Sequence, residues 1–93
     1  MKSVLQKEKK CYVCENTHDL HEHHCLYGTS NRKNAERRGL KIYLCGRHHN
    51  LSNEGIHFNK ELDIHVKQMA QRYYEEHYGT RDDFRREFGK SYL

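Results

Sequence analysis

Toward the C-terminus the apolar positions recur with a helical period. Leu62, Val66, Met69, Ala70, Tyr73 and His77 fall at steps of three and four, which predicts an amphipathic helix of about four turns ended by Gly79. Thr80, with Asp83 three residues on, reads as the cap of a further helix whose apolar edge is Phe84 and Phe88. Tyr92 follows as an aromatic residue able to pack back on the body, and the Met and aromatic stripe reads as core rather than as a cofactor contact. Earlier the period changes. In LKIYLC, Leu40 to Cys45, alternation puts Leu40, Ile42 and Leu44 on one face of a strand entered from Gly39. The mixed run DLHEHHCLY, Asp19 to Tyr27, stops at Gly28 as a first strand reaching its turn. Between them, TSNRKNAERRG predicts a loop and a short helix with a Gly stop. Residues 1–10 are lysine-rich without sustained periodicity, which predicts a loose basic arm. Residues 11–93 then form a single domain, with a Cys/His-rich core over 11–58 and helices over 59–93.

Composition makes that core thin. Of 93 residues, 34% are hydrophobic and 32% charged, so the apolar area available to offset chain entropy is small. Four Cys and nine His supply the alternative, since a structural zinc contributes folding free energy on the order of 10 kcal/mol. The first ten residues lack the apolar stretch of a secretory signal, and nothing approaches the ~20 apolar residues of a membrane span. A cytoplasmic location is therefore expected, where Cys at ligand spacing favours metal over disulfides. The net charge of +4 suits an anionic partner such as nucleic acid.

Cys11-Tyr-Val-Cys14 sets two thiolates at a spacing that lets both reach one ion, and Cys45-Gly-Arg-His48 repeats the spacing. Together they complete a tetrahedral Cys3His site, which is structural because no position stays open for water or substrate. Cys25, without a partner at ligand spacing, reads as a small buried hydrophobe.

With His48 assigned, His23, His24, His49 and His57 stand close in sequence to the knuckles. A second cation held by neutral imidazoles, with coordination left open, accounts for the grouping. Neighbours on a strand point to opposite faces, so His23 and His24 are able to take different jobs. His18, His21, His65 and His77 read as ordinary surface or core residues.

The order Cys-x-x-Cys, then Glu22-His23-His24, then Leu44-Cys45-x-x-His48-His49-Asn50 resembles the HNH endonuclease family, the zinc-knuckle branch of the ββα-metal (His-Me finger) fold. The stretches GLKIYLCGRHHN and NEGIHFNKEL also look similar to small phage and prophage proteins of that family, recombination-associated nucleases among them. The resemblance covers residues 11 to about 60. It implies an α+β fold: a small zinc-stabilised ββα-metal core with C-terminal helices outside the motif. It further implies His24 as general base, His23 and His49 as ligands of a catalytic divalent metal (Mg²⁺, Mn²⁺ or Ni²⁺), and His57 as a further ligand. The family usually places an asparagine shortly before the second strand; here Arg38 and Gly39 stand there, and Asn31, Asn34 or Asn50 is left to serve.

The implied activity is metal-dependent hydrolysis of DNA phosphodiester bonds, nicking with little sequence preference and leaving a 5′ phosphate. A neutral imidazole at His24 is able to accept a proton from the attacking water. Arg32, Lys33, Arg37 and Arg38 form a basic group placed to hold the phosphate backbone without reading sequence. RNA is the alternative polymer, a phage or recombination protein the expected recruiter, and oligomeric state stays open. The competing readings are a non-catalytic zinc-finger module that binds nucleic acid or protein, and a regulator or inhibitor that reuses a nuclease fold.

Overall fold

In a computed structural model, which describes residues 1–49 and 55–93, the two expected strands pair as an antiparallel sheet. Strand β1 is Leu20–His24 and β2 is Lys41–Cys45, in a register that sets Leu20 opposite Cys45, His23 opposite Ile42 and His24 opposite Lys41. The first strand is shorter than its sequence run, because Cys25 and Leu26 leave the ladder for the core. Leu40, Ile42 and Leu44 are fully buried, as their alternation requires.

Helix α1, Thr29–Arg38, fills the connection between the strands. It carries Arg37 and Arg38 in its last turn, where cations suit the helix dipole, and stops at Gly39 in the left-handed conformation (φ 71°). The short helix α2, Gly46–His49, leaves the end of β2 directly. A 3-10 turn, Ile56–Phe58, precedes α3, Lys60–His77, whose N-terminus is capped by the Asn59 side chain accepting from the Leu62 N–H. Thr80 and Asp83 form the expected reciprocal capping box at the start of α4, Arg81–Phe88.

One core joins these parts. Val66, Ala70 and Tyr74 of α3, Phe84 and Phe88 of α4, Ala35 of α1 and Ile56 close on the apolar face of β2. Tyr92 does pack back, its N–H donating to Gln71 Oε1 at 2.7 Å. Asn31 and Asn34 donate to the carbonyls of Phe88 and Glu87, so both tie α1 to the end of α4 and neither braces the chain ahead of β2.

The segment read as a loose arm lies against β2. The Val4 N–H donates to the Gly39 carbonyl at 2.9 Å, Ser3 Oγ donates to the Lys41 carbonyl, and the Tyr43 N–H donates to Gln6 Oε1 at 2.7 Å. That cover buries Lys41 and Tyr43, the alternate positions of β2, so all five strand residues are buried. Among the described residues, no helix is long and apolar enough to cross a membrane.

Candidate metal centres and their surroundings

Cys11 and Cys14 flank a tight turn held by the Cys11 N–H on the Asn16 carbonyl (2.8 Å) and the Glu15 N–H on the Cys11 carbonyl (2.9 Å). Cys45 closes β2, and α2 swings His48 back beside it. The four donor atoms lie within 4.8 Å of one another, with Cys14 Sγ to Cys45 Sγ at 3.7 Å and His48 Nδ1 at 3.2 Å from Cys45 Sγ and 3.8 Å from Cys11 Sγ. Zinc–sulfur bonds of about 2.3 Å in a tetrahedron set sulfur–sulfur edges of roughly 3.8 Å, so the donors are spaced to hold a metal such as zinc. Burial pushes the Cys11 thiol up, but the backbone N–H groups of Cys45, Cys14 and Val13 outweigh it and bring the thiol down to about 6, favouring the thiolate a metal needs. Cys25 lies apart from this group, fully buried, and burial pushes its thiol up.

A second cluster is built from His23, His49 and His57, whose donor atoms also come within 4.8 Å of one another. β1 supplies His23, α2 supplies His49 and the 3-10 turn supplies His57. Ring centroids are 5.4 Å apart for His23 and His49, 5.7 Å for His23 and His57, and 5.3 Å for His49 and His57. His23 is buried, and its Nε2 finds no hydrogen-bond partner. Burial, with the neighbouring imidazoles adding to it, drives His23 down to about 4, so the ring is neutral at pH 7 and its lone pair is available. Burial also lowers His49.

His21, read from sequence as an ordinary residue, belongs to these surroundings. Its Nδ1 is 2.9 Å from His49 Nδ1, and its Nε2 is 3.4 Å from an Asp19 carboxylate oxygen. A carboxylate, His21 and His49 thus run in series toward the cluster. That contact engages His49 Nδ1 and leaves Nε2 as the ring nitrogen able to serve a ligand, the arrangement by which an outer partner orients a metal-binding imidazole.

His24 faces α1, where its Nε2 is 2.8 Å from Glu36 Oε1, while its Nδ1 is buried without a partner. Glu36 is a hub: Lys41 Nζ lies 3.0 and 3.1 Å from its two oxygens, and the Met1 ammonium lies 2.8 Å from Oε2. Hydrogen bonds from the Met1 ammonium, His24 and Lys41, in that order, hold the Glu36 carboxyl down at about 2. Burial pulls the Lys41 ammonium down, but its bonds to Glu36 and Glu22 outweigh it and raise it. His23 and His24 nevertheless line one cavity of about 160 Å³, with Glu22, Tyr27, Arg32, His49 and His57 on its walls. A buried nitrogen without a partner, such as His23 Nε2 or His24 Nδ1, costs roughly 1–3 kcal/mol.

Arg32, Lys33 and Arg37 line a shallow groove beside His24 and Glu36. Arg38, grouped with them from sequence, is committed elsewhere. Its guanidinium forks onto the Glu87 carboxylate at 3.1 and 2.8 Å and lies over the rings of Tyr74 and Tyr78, joining α1 to the C-terminal helices. Asn50 lies outside the described residues. His65 accompanies the Tyr12 hydroxyl at 2.8 Å and His77 stacks on Tyr73 at 4.0 Å, in keeping with plain structural roles. No protein-family model, curated protein or solved structure matches the chain.

Proposed function

We propose that the chain is a metal-dependent endonuclease of the HNH kind, a small ββα-metal domain that hydrolyses phosphodiester bonds of DNA. One observation carries the reading: three imidazoles from three separate elements converge on a cavity that His24 and Arg32 also line. A zinc-finger module needs only Cys11, Cys14, Cys45 and His48, and leaves that second convergence without a purpose.

In this reading the Cys3His group holds a structural zinc that locks the turn at Cys11 onto the end of β2. The donor set of the second cluster fits a divalent ion, because a buried, neutral His23 with a partnerless Nε2 is prepared to give a lone pair. Of the ions expected, Ni²⁺ matches three imidazoles best, whereas Mg²⁺ and Mn²⁺ prefer oxygen donors; an ion held by His23, His49 and His57 would neutralise charge on the scissile phosphate and favour departure of the 3′ oxygen. His24 accepts the proton of the attacking water at Nδ1, the ring nitrogen not engaged by Glu36. Arg32 stands on the wall of the same cavity to bind a phosphate oxygen, and Lys33 and Arg37 extend that grip along the groove. Contacts of this kind position a backbone and read no bases, so cleavage carries little sequence preference.

The test is nicking of supercoiled plasmid by zinc-loaded protein with Mg²⁺, Mn²⁺ or Ni²⁺, beside His24→Ala, His23→Ala and a chelator control. Metal-dependent nicks that disappear in both variants support the reading. Folded, zinc-loaded protein that binds DNA and cuts under no metal gives the site to a binding module instead.

A further inference from the structure

The two ring nitrogens of His24 have unlike surroundings. Nε2 sits 2.8 Å from Glu36 Oε1, and Nδ1 is buried with no partner. An ionised carboxylate only accepts, so the proton in that contact belongs to Nε2, and a neutral ring then carries its lone pair on Nδ1. Glu36 is in turn fixed. Lys41, whose side chain is 4% exposed, holds both Glu36 oxygens and both Glu22 oxygens, and it pairs with His24 across the sheet. Helix α1, which carries Glu36, is anchored to the end of α4 through Asn31, Asn34 and Arg38. A carboxylate clamped this way has little freedom to release the ring.

Resting on the nuclease reading above, we propose that Glu36 is the positioning residue for His24: it fixes the Nε2–H tautomer and ring orientation, so that Nδ1 takes the proton from the attacking water. The bracing usually sought in an asparagine ahead of the second strand comes here from a carboxylate on the intervening helix, seconded by a buried lysine. The proton account balances. A water O–H proton moves to Nδ1, giving an imidazolium that keeps its Nε2–H on Glu36. The water oxygen forms the new P–O bond as the P–O3′ bond breaks, and the departing 3′ oxygen takes a proton from solvent.

Glu36→Ala removes the acceptor, whereas Glu36→Gln keeps the shape and one accepting oxygen. Each is compared with wild type for zinc content, thermal midpoint, separate kcat and KM of plasmid nicking, and the long-range 15N–1H imidazole spectrum at fixed pH. The expected result is an Nε2–H tautomer for wild-type His24 and a mixture of tautomers in Glu36→Ala. Nicking by Glu36→Ala falls about 100-fold in kcat, within the range a positioned base supplies, while KM changes little. Glu36→Gln, with zinc and midpoint intact, recovers part of that loss.

An Nδ1–H tautomer in an active wild type overturns the proposal alone, as does wild-type kcat in a folded Glu36→Ala. A loss in Glu36→Gln that follows only its zinc content or midpoint also overturns it. Wild-type protein that nicks nothing, yet shows the Nε2–H tautomer, overturns the nuclease reading and reduces Glu36 to a structural contact.

Discussion

With the Cys3His group holding zinc as proposed, withdrawing that ion is the perturbation with the largest expected effect. For 93 residues, a net stability of 0.05–0.15 kcal/mol per residue comes to roughly 5–14 kcal/mol. Binding of a structural zinc by a small domain supplies about 10–16 kcal/mol at pH 7, as much as the whole net stability. The structure shows where the loss falls. Cys11 and Cys45 are both buried members of the core that α1, α3 and α4 also enter, and the Tyr12 N–H on the Tyr43 carbonyl (2.8 Å) docks the knuckle on β2. Freeing Cys45 therefore unsettles the wall shared by both halves rather than a detachable finger. The protein is titrated with chelator while zinc content, far-UV circular dichroism, thermal midpoint and nicking are followed together. On the proposed reading two stages are expected: nicking disappears first, as an ion on His23, His49 and His57 would be withdrawn, and cooperative unfolding disappears later, as one zinc per chain would leave. Cys45→Ser should go directly to the second state. A metal-free chain that keeps the midpoint and cooperativity of the loaded one would refute the reasoning.

Burial has moved His23 from its ordinary 6.5 to about 4, so the unfolded chain binds the proton first as pH falls, and the stability present above 6.5 is lost between 6.5 and 4. The full shift corresponds to about 3 kcal/mol, and urea unfolding of wild type against His23→Gln across that window isolates it, since zinc release is common to both. Arg38→Ala should cost about 2 kcal/mol through loss of the fork on Glu87 and the Tyr74 and Tyr78 contacts, seen as a lower midpoint, and should leave DNA affinity unchanged. Arg32→Ala should do the reverse: an unchanged midpoint, with weaker DNA binding whose salt slope drops by about 1. Gly39→Ala should lower the midpoint, because φ is +71° and its Cβ would stand 2.6 Å from the Lys2 carbonyl oxygen; the cost exceeds the ~1–2 kcal/mol of the backbone conformation alone.

The elements that were legible in the sequence are those whose cause is local. The stripe from Leu62 to His77 and the Thr80–Asp83 cap are set by residues three and four apart, and both appear where that spacing puts them. The strand at Leu40 to Cys45 was legible by its alternation, and the cluster of Cys11, Cys14, Cys45 and His48 by ligand spacing. What escaped depends on distant partners. Residues 3–6 carry no periodicity of their own, and they are ordered by bonds to β2 through the Ser3 hydroxyl, the Gln6 amide and the Val4 backbone. Arg38 looked like one more cation in a basic run, because its partner Glu87 stands 49 residues away.

The same distinction divides the site. His23, His49 and His57 were singled out for standing near the knuckles, and the fold brings all three together, yet Glu36 and His21 were passed over. A glutamate amid Arg and Lys on a polar helix looks like a solvated residue, and a histidine two positions before another looks incidental. The link becomes visible only in the fold, through Lys41. A lysine inside LKIYLC, in a strand buried at every position, is tolerable only if carboxylates reach it, because an isolated buried ammonium is far too costly. Glu22 on the paired strand and Glu36 on the helix that leads into β2 are the carboxylates that reach it. From that requirement follows the neighbour of the second: whatever base stands at the end of β1, across the ladder from Lys41, is brought against the same carboxylate. Following a buried charge to its partners thus leads to the orientation of His24, which a search for metal ligands alone does not reach.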